Sequence, residues 1–218
     1  MAILDATHVK ESLRRLAVTN TDIFGANGHH FLLNPPLAEN EVLAFEQRHN
    51  VRLPADYRYF LTAIGNGGAG PFYGVFPLGE MDSGFDLKAW DAGDGFVGSL
   101  SEPFSFTDKW NDLQGRPHDE LLHTDEQEYW RQVDQFDERY FSSSLMKGAI
   151  PICHEGCALR IWLVLSGELA GYLWHDGRSD YTGIKPLLLA DGSPATFSHW
   201  YGEWLENALQ QADRELSK

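Results

Sequence analysis

The chain has 218 residues, 43% hydrophobic and 13% aromatic, which supplies one sizeable core and is long for a single average domain. Its 32 acidic against 17 basic residues give a net charge of −15, which opposes direct contact with nucleic acid or an anionic membrane and favours a cationic partner. No apolar run spans a bilayer, Asp5, Lys10 and Glu11 interrupt any secretory leader, and two cysteines make no disulfide framework, so the expected compartment is the cytoplasm.

Residues 1–19 carry Leu4, Val9, Leu13 and Leu16 or Ala17 on one side of a short amphipathic helix, followed by a loop rich in Asn, Gly and His over 19–30. Ala38, Val42, Phe45 and His49 have helical spacing, with Asn50 as the stop. A further helix starts at Pro54, whose missing N–H costs nothing at a first helical position. Tyr57, Phe60, Leu61 and Ile64 form its apolar face, and Gly65 is expected to end it in a left-handed conformation.

Gly65, Gly67 and Gly70 satisfy the spacing G-x-G-x-x-G of dinucleotide-binding loops. That function needs a strand before the glycines and a helix after them. Here the order is reversed, and no Lys or Arg lies between Arg58 and Lys88 to meet a phosphate. The glycines therefore read as a structural turn leading into an aromatic strand over 72–76, closed by Pro77. From 80 to about 120 the chain is polar and reads as irregular, then as a helix over 125–140.

Strands are expected at 149–153, 158–165, 169–175 and 184–189, with Ser166-Gly167 and Asp176-Gly177 as turns. Ser193 is placed to cap a final helix with Pro194 at its first position. Phe197, Trp200, Tyr201, Trp204, Leu205 and Ala208 would line its buried face. Helices first, then a mixed or antiparallel sheet, then a closing helix make an α+β fold.

In this order the pieces resemble the SUKH superfamily, the group of the fungal Smi/Knr regulators and many bacterial immunity proteins. The resemblance rests on Phe45-Glu46, Leu53-Pro54-Ala55-Asp56-Tyr57 with Phe60-Leu61, Asn66-Gly67-Gly68, and Gly70-Pro71 with Tyr73-Gly74-Val75-Phe76-Pro77-Leu78. It continues through Pro103-Phe104-Ser105-Phe106-Thr107 with Trp110, Gly148-Ala149-Ile150-Pro151-Ile152, Gly156-Cys157, Gly167, Gly171, Trp174, and Phe197, Trp200, Trp204 and Leu205. It implies one SUKH-like domain over 31–215, preceded by a helical extension and loop over 1–30 and holding an acidic insertion at about 111–147. It also implies a binding fold without enzymatic activity.

Chemistry elsewhere is thin. Cys153, His154 and Cys157 supply at most three ligands where a zinc site generally needs four, so no metal or other cofactor is expected. His175, Asp176 and Asp180 could form a general-base cluster but read as exposed turn residues. No G-x-S-x-G or H-E-x-x-H motif is present.

The acidic segment is the remaining feature. Asp119, Glu120, Asp125, Glu126, Glu128, Asp134, Asp137 and Glu138 crowd together, with only Arg131 and Arg139 nearby. Trp130, Val133, Phe136 and Tyr140 would form the docked stripe, leaving the carboxylates outward, and Tyr129 or Trp130, whichever is exposed, would supply an aromatic contact. The segment is either a solvated helix face or a docking surface for a protein with a basic cleft. On the resemblance, that partner is a cognate toxin whose active site the chain occludes. The competing readings are a regulatory or scaffold module for endogenous proteins, and an enzyme or metal protein built on Cys153, His154 and Cys157.

Overall fold

The computed structural model describes residues 4–19, 21–83, 86–89 and 97–217. Helix α1 is Ala6–Thr19, and Val9, Ser12, Leu13 and Leu16 form its buried stripe, while Ala17 is exposed. Helix α2, Glu39–His49, begins where Glu41 Oε2 accepts the Ala38 N–H at 2.8 Å, and ends at Asn50 with φ 50°, a left-handed stop. Helix α3, Ala55–Tyr59, follows Pro54, which stands just before the first helical residue and not within the helix.

The end of this helix differs from expectation. Phe60–Ile64 forms a π turn, closed by the Gly65 N–H donating to the Phe60 carbonyl at 2.9 Å. Gly65 leaves it with φ −178°, extended and not left-handed. A side chain there would meet the Asn34 carbonyl at 2.8 Å, so close packing is the reason for glycine at this position. Left-handed geometry appears two residues on, at Gly67 with φ 77°. The Asn66 side chain then accepts the Leu78 N–H at 2.8 Å and closes the turn.

The expected strand over 72–76 does not form. Phe72 has φ 54° and Gly74 φ 99°, which breaks the extended run. Only Val75 makes bridges, to Gly68 and Cys153. Part of the stretch expected to be irregular is instead a hairpin of β1, Glu80–Ser83, and β2, Asp86–Ala89. Residues 84–85 and 90–96 of that stretch lie outside those described.

Helices α4, Asp119–Thr124, and α5, Glu126–Tyr140, come next. An antiparallel sheet follows in the order β3, Ala149–Gly156; β4, Leu159–Val164; β5, Leu173–Asp176; and β6, Ile184–Pro186. β4 is buried continuously from Ile161 to Val164, as expected of a strand covered on both faces. Both outer edges are closed. Phe76 donates to the Ile152 carbonyl at 2.8 Å along β3, and Trp110 exchanges two 2.8 Å bonds with Ile184 on β6. β5 starts later than expected because Gly171, with φ 98°, turns the chain back to donate to Val164.

Helix α6, Phe197–Leu216, closes the fold. Its N-cap is Thr196 and not Ser193, whose backbone N–H and hydroxyl both bond Asp191 Oδ1. Asp56 Oδ2 accepts the Ser198 N–H at 3.0 Å and satisfies one of the orphan donors of the first turn. Phe197 lies 4.9 Å from both Tyr57 and Phe60, ring centre to ring centre, and the Tyr201 hydroxyl donates to the Ala69 carbonyl at 2.9 Å. Each such ring removed from water contributes about 1.5–3 kcal/mol. α1 packs on α6, with ion pairs His8–Glu206 and Arg15–Asp213 at its exposed margin. The result is an α+β fold with a four-stranded antiparallel sheet and a C-terminal helix. Among the described residues no helix is long and apolar enough to cross a membrane.

Candidate functional site

The acidic residues come together on the α4–α5 pair. Asp125 ends α4 and caps α5, its Oδ1 accepting the Glu128 N–H at 3.0 Å. The inward stripe of α5 is Tyr129, Val133, Phe136 and Tyr140, spaced i, i+4, i+7, i+11, with Phe136 and Tyr140 buried and the other two half-buried. Trp130 does not belong to that stripe. It is 52% exposed, touching Tyr129 edge-on.

The C-terminal end of α5 is clamped to the domain. Tyr140 stacks on Trp110 at 5.4 Å and donates its hydroxyl to Asn111 Oδ1 at 2.6 Å. Burial pushes that phenol up from its ordinary range. Arg178 donates to the carbonyls of Tyr140 and Ser142 at 3.1 and 3.3 Å, just where the last turn leaves its carbonyls without helical partners. The guanidinium is held by Asp176, which accepts from its Nε and Nη2 at 2.8 and 2.7 Å. Both side chains are buried.

His175 and Asp176 were expected as exposed turn residues, and the structure corrects this. Asp176 is buried against Arg178, and His175 Nε2 lies 2.8 Å from Glu155 in a largely buried pair. Asp180 is exposed, in a 3-10 turn, Arg178–Asp180. Cys153 is buried with its thiol donating to the Pro71 carbonyl at 3.3 Å, while Cys157 is exposed on the turn before β4. Among the described residues no group of three or more His, Cys, Asp or Glu side chains is placed to hold a metal ion.

The charges of the helix pair are unevenly satisfied. Glu128 is bound by Arg131 through two bonds of 2.6 and 2.5 Å and by Gln132 at 2.8 Å, which hold its carboxyl down to about 2. Arg139 is turned onto Asp112 and the Gln114 carbonyl, and Arg116 lies 3.8 Å over the Tyr181 ring. Arg139 and Arg116 are thus engaged off the helix pair, while Arg131 stays exposed on α5 and is taken up by Glu128. Asp119, Glu120, Glu126, Asp134 and Glu138 are exposed and make no ion pair among the described residues. Asp137 is half-buried, and burial, then the neighbouring Asp134, push its carboxyl up. Tyr129 contributes one half-buried edge.

Of the two candidate aromatic anchors Trp130 is the exposed one, and Tyr129 takes the place in the inward stripe expected for Trp130. Sequence reasoning missed the Arg178 clamp, although Asp176 and Arg178 stand two residues apart. A concavity elsewhere, between the end of α1 and the following loop, is lined by Asp22, Phe24, His30, Phe31 and Tyr73.

An α+β domain with a capped antiparallel sheet, a closing helix and a charged helical pair defines a class of architecture and not an activity. The SMI1 / KNR4 family (SUKH-1) matches residues 36–186, more than half of the chain. The protein belongs to that family. Searches of curated proteins and of solved structures return no match.

Proposed function

We propose that this protein is a non-enzymatic, immunity-type binder that neutralises a cognate protein toxin in the cytoplasm by occupying its active cleft. The observation that carries the reading is the α4–α5 pair, where Asp119, Glu120, Glu126, Asp134 and Glu138 stand exposed with no ion pair among the described residues, Arg131 being taken up by Glu128 and Arg139 by Asp112. Asp125, Glu128, Asp137 and the accessible edge of the otherwise inward Tyr129 complete the contact surface. Fixed carboxylates suit a cleft made positive to hold phosphates, and opposite charge speeds encounter at low salt. Membership of the SMI1 / KNR4 family supports a protein partner.

Inhibition here is occlusion without turnover. Stable complexes of this kind bury about 1,200–2,000 Å² in total, about half of it on each partner. The test is co-expression with the toxin-like gene encoded beside this one, together with capture of its product on the purified protein. Rescue of growth and a stoichiometric complex are expected. Absence of any neighbouring toxin gene, with no toxic protein captured, overturns the proposal.

A further inference from the structure

The i, i+4 ridge of α5 runs Glu126, Trp130, Asp134, Glu138, with a rise of about 6 Å per step. Trp130, 52% exposed, is therefore bracketed one turn on each side by a carboxylate. An exposed tryptophan is unusual on a helix whose other large aromatics, Tyr129, Phe136 and Tyr140, all turn inward. Its documented ring contact is the edge of Tyr129, at 5.2 Å between centres.

The nearest cations do not serve it. Arg131 is engaged by Glu128 and Arg139 by Asp112. The ridge thus offers a half-exposed indole with, one turn before it and one turn after it, a carboxylate lacking an ion-pair partner among the described residues. That combination matches one side chain above others. A planar guanidinium stacks on an indole and directs its N–H groups sideways to flanking acceptors, whereas a lysine ammonium is compact and more strongly hydrated.

We infer that Trp130, Glu126 and Asp134 form a receptor for an arginine side chain of the protein partner, making Trp130 the specificity-determining residue of the anionic face. The inference rests on the reading of α4–α5 as a docking surface and adds the chemistry of what docks. Glu138 continues the ridge and meets a second cation one turn further along the partner. Charge alone attracts any basic surface, and the ring is what separates arginine from lysine.

The test uses the full chain with hexa-arginine and hexa-lysine peptides at low salt, followed by calorimetry and by the indole N–H resonances. The Trp130 resonance is assigned by its loss in Trp130→Phe. Hexa-arginine should bind more tightly than hexa-lysine and shift the Trp130 resonance. Trp130→Ala should weaken hexa-arginine about two- to five-fold, the range of an exposed cation–π contact, and leave hexa-lysine nearly unchanged. An unmoved Trp130 resonance, or an arginine preference that survives Trp130→Ala, overturns the inference.

The triple variant Glu126→Gln/Asp134→Asn/Glu138→Gln separates the two readings. If it weakens both peptides while Trp130→Ala weakens neither, the anionic face stands and the arginine receptor falls. If the triple changes nothing, the docking surface falls and the receptor with it. Melting curves of each variant, expected to match the parent, exclude unfolding as the cause.

Discussion

Arg178 ties the end of the acidic helix to the sheet, donating to the Tyr140 carbonyl at 3.1 Å while Asp176 grips its other nitrogens. The clamp joins the β5–β6 turn to the last turn of α5, 38 residues earlier in the chain. It fixes the C-terminal end of α5 against the sheet. Removing one member of such a buried pair strands the other charge, so Arg178→Met should cost about 3–5 kcal/mol in urea unfolding. The double variant Asp176→Asn/Arg178→Met should lose less than the sum of the single changes. Additivity would show that the two residues act independently.

Asp56 supplies a second long tie. Its carboxylate caps α6 at Ser198 and also accepts the Tyr57 N–H at 2.9 Å. Asp56→Ala should destabilise by about 0.5–2 kcal/mol, the usual value of a helix cap, and Asp56→Asn by less. Equal urea midpoints for the parent and the alanine variant would show the cap to be energetically silent.

His29 gives the fold an acid limit. It is buried, Nδ1 accepts the Phe31 N–H at 3.0 Å, and burial pushes the imidazole down to about 4, with the Gly70 carbonyl opposing and His30 assisting. The unfolded chain binds the proton near the ordinary value of 6.5, before the folded one does. The contribution to stability is therefore complete above about 6.5 and is lost as pH falls through the window to about 4. The urea midpoint should drop across that window. His29→Phe should flatten this part of the profile, and an unchanged slope would assign the loss to other groups.

The carboxylate ridge should govern the rate of encounter more than the stability of the fold. Neutralising Glu126, Asp134 and Glu138 together should slow association with the captured partner about ten-fold at low salt and flatten its salt dependence. Each exposed site should shift stability by no more than about 0.5 kcal/mol. Relief of Asp137 from the charge on Asp134 acts in the stabilising direction at neutral pH, and that gain fades as Asp137 becomes protonated. Stopped-flow traces that are insensitive to the triple change would place the docking face elsewhere.

Much of the architecture was legible because it rests on local periodicity. The stripes of α1 and α2, the existence of α5, the helix stop at Asn50 and all four strands of the sheet follow from spacing and turn residues. What was misread depends on partners far along the chain. The 72–76 segment has strand composition, yet its backbone bends at Phe72 to meet β3 at a single bridge. Ser193 looks like a cap until Asp191 occupies both of its donors. Residues 119–124 lack a long apolar stripe, and they form a helix that packs on α5.

The candidate site was legible in composition but not in arrangement. The acids were visible as a cluster, whereas their unequal pairing is a three-dimensional property. Glu128 is consumed by Arg131, and the acids of the ridge are not. The placement of Trp130 turned on one residue of register, because positions 129 and 130 offer helical stripes of nearly equal apolar content until Tyr129, Val133 and Phe136 are seen facing inward.

The position of α6 has a consequence for biosynthesis. Its rings cover Tyr57 and Phe60, and α1 rests against it, so a nascent chain that has emerged only as far as residue 196 still holds an apolar surface uncovered. The N-terminal half must wait for this distant segment before it is shielded from water. A chain cut before Phe197 should therefore be a sticky, protease-sensitive product, well beyond the loss of twenty residues of helix.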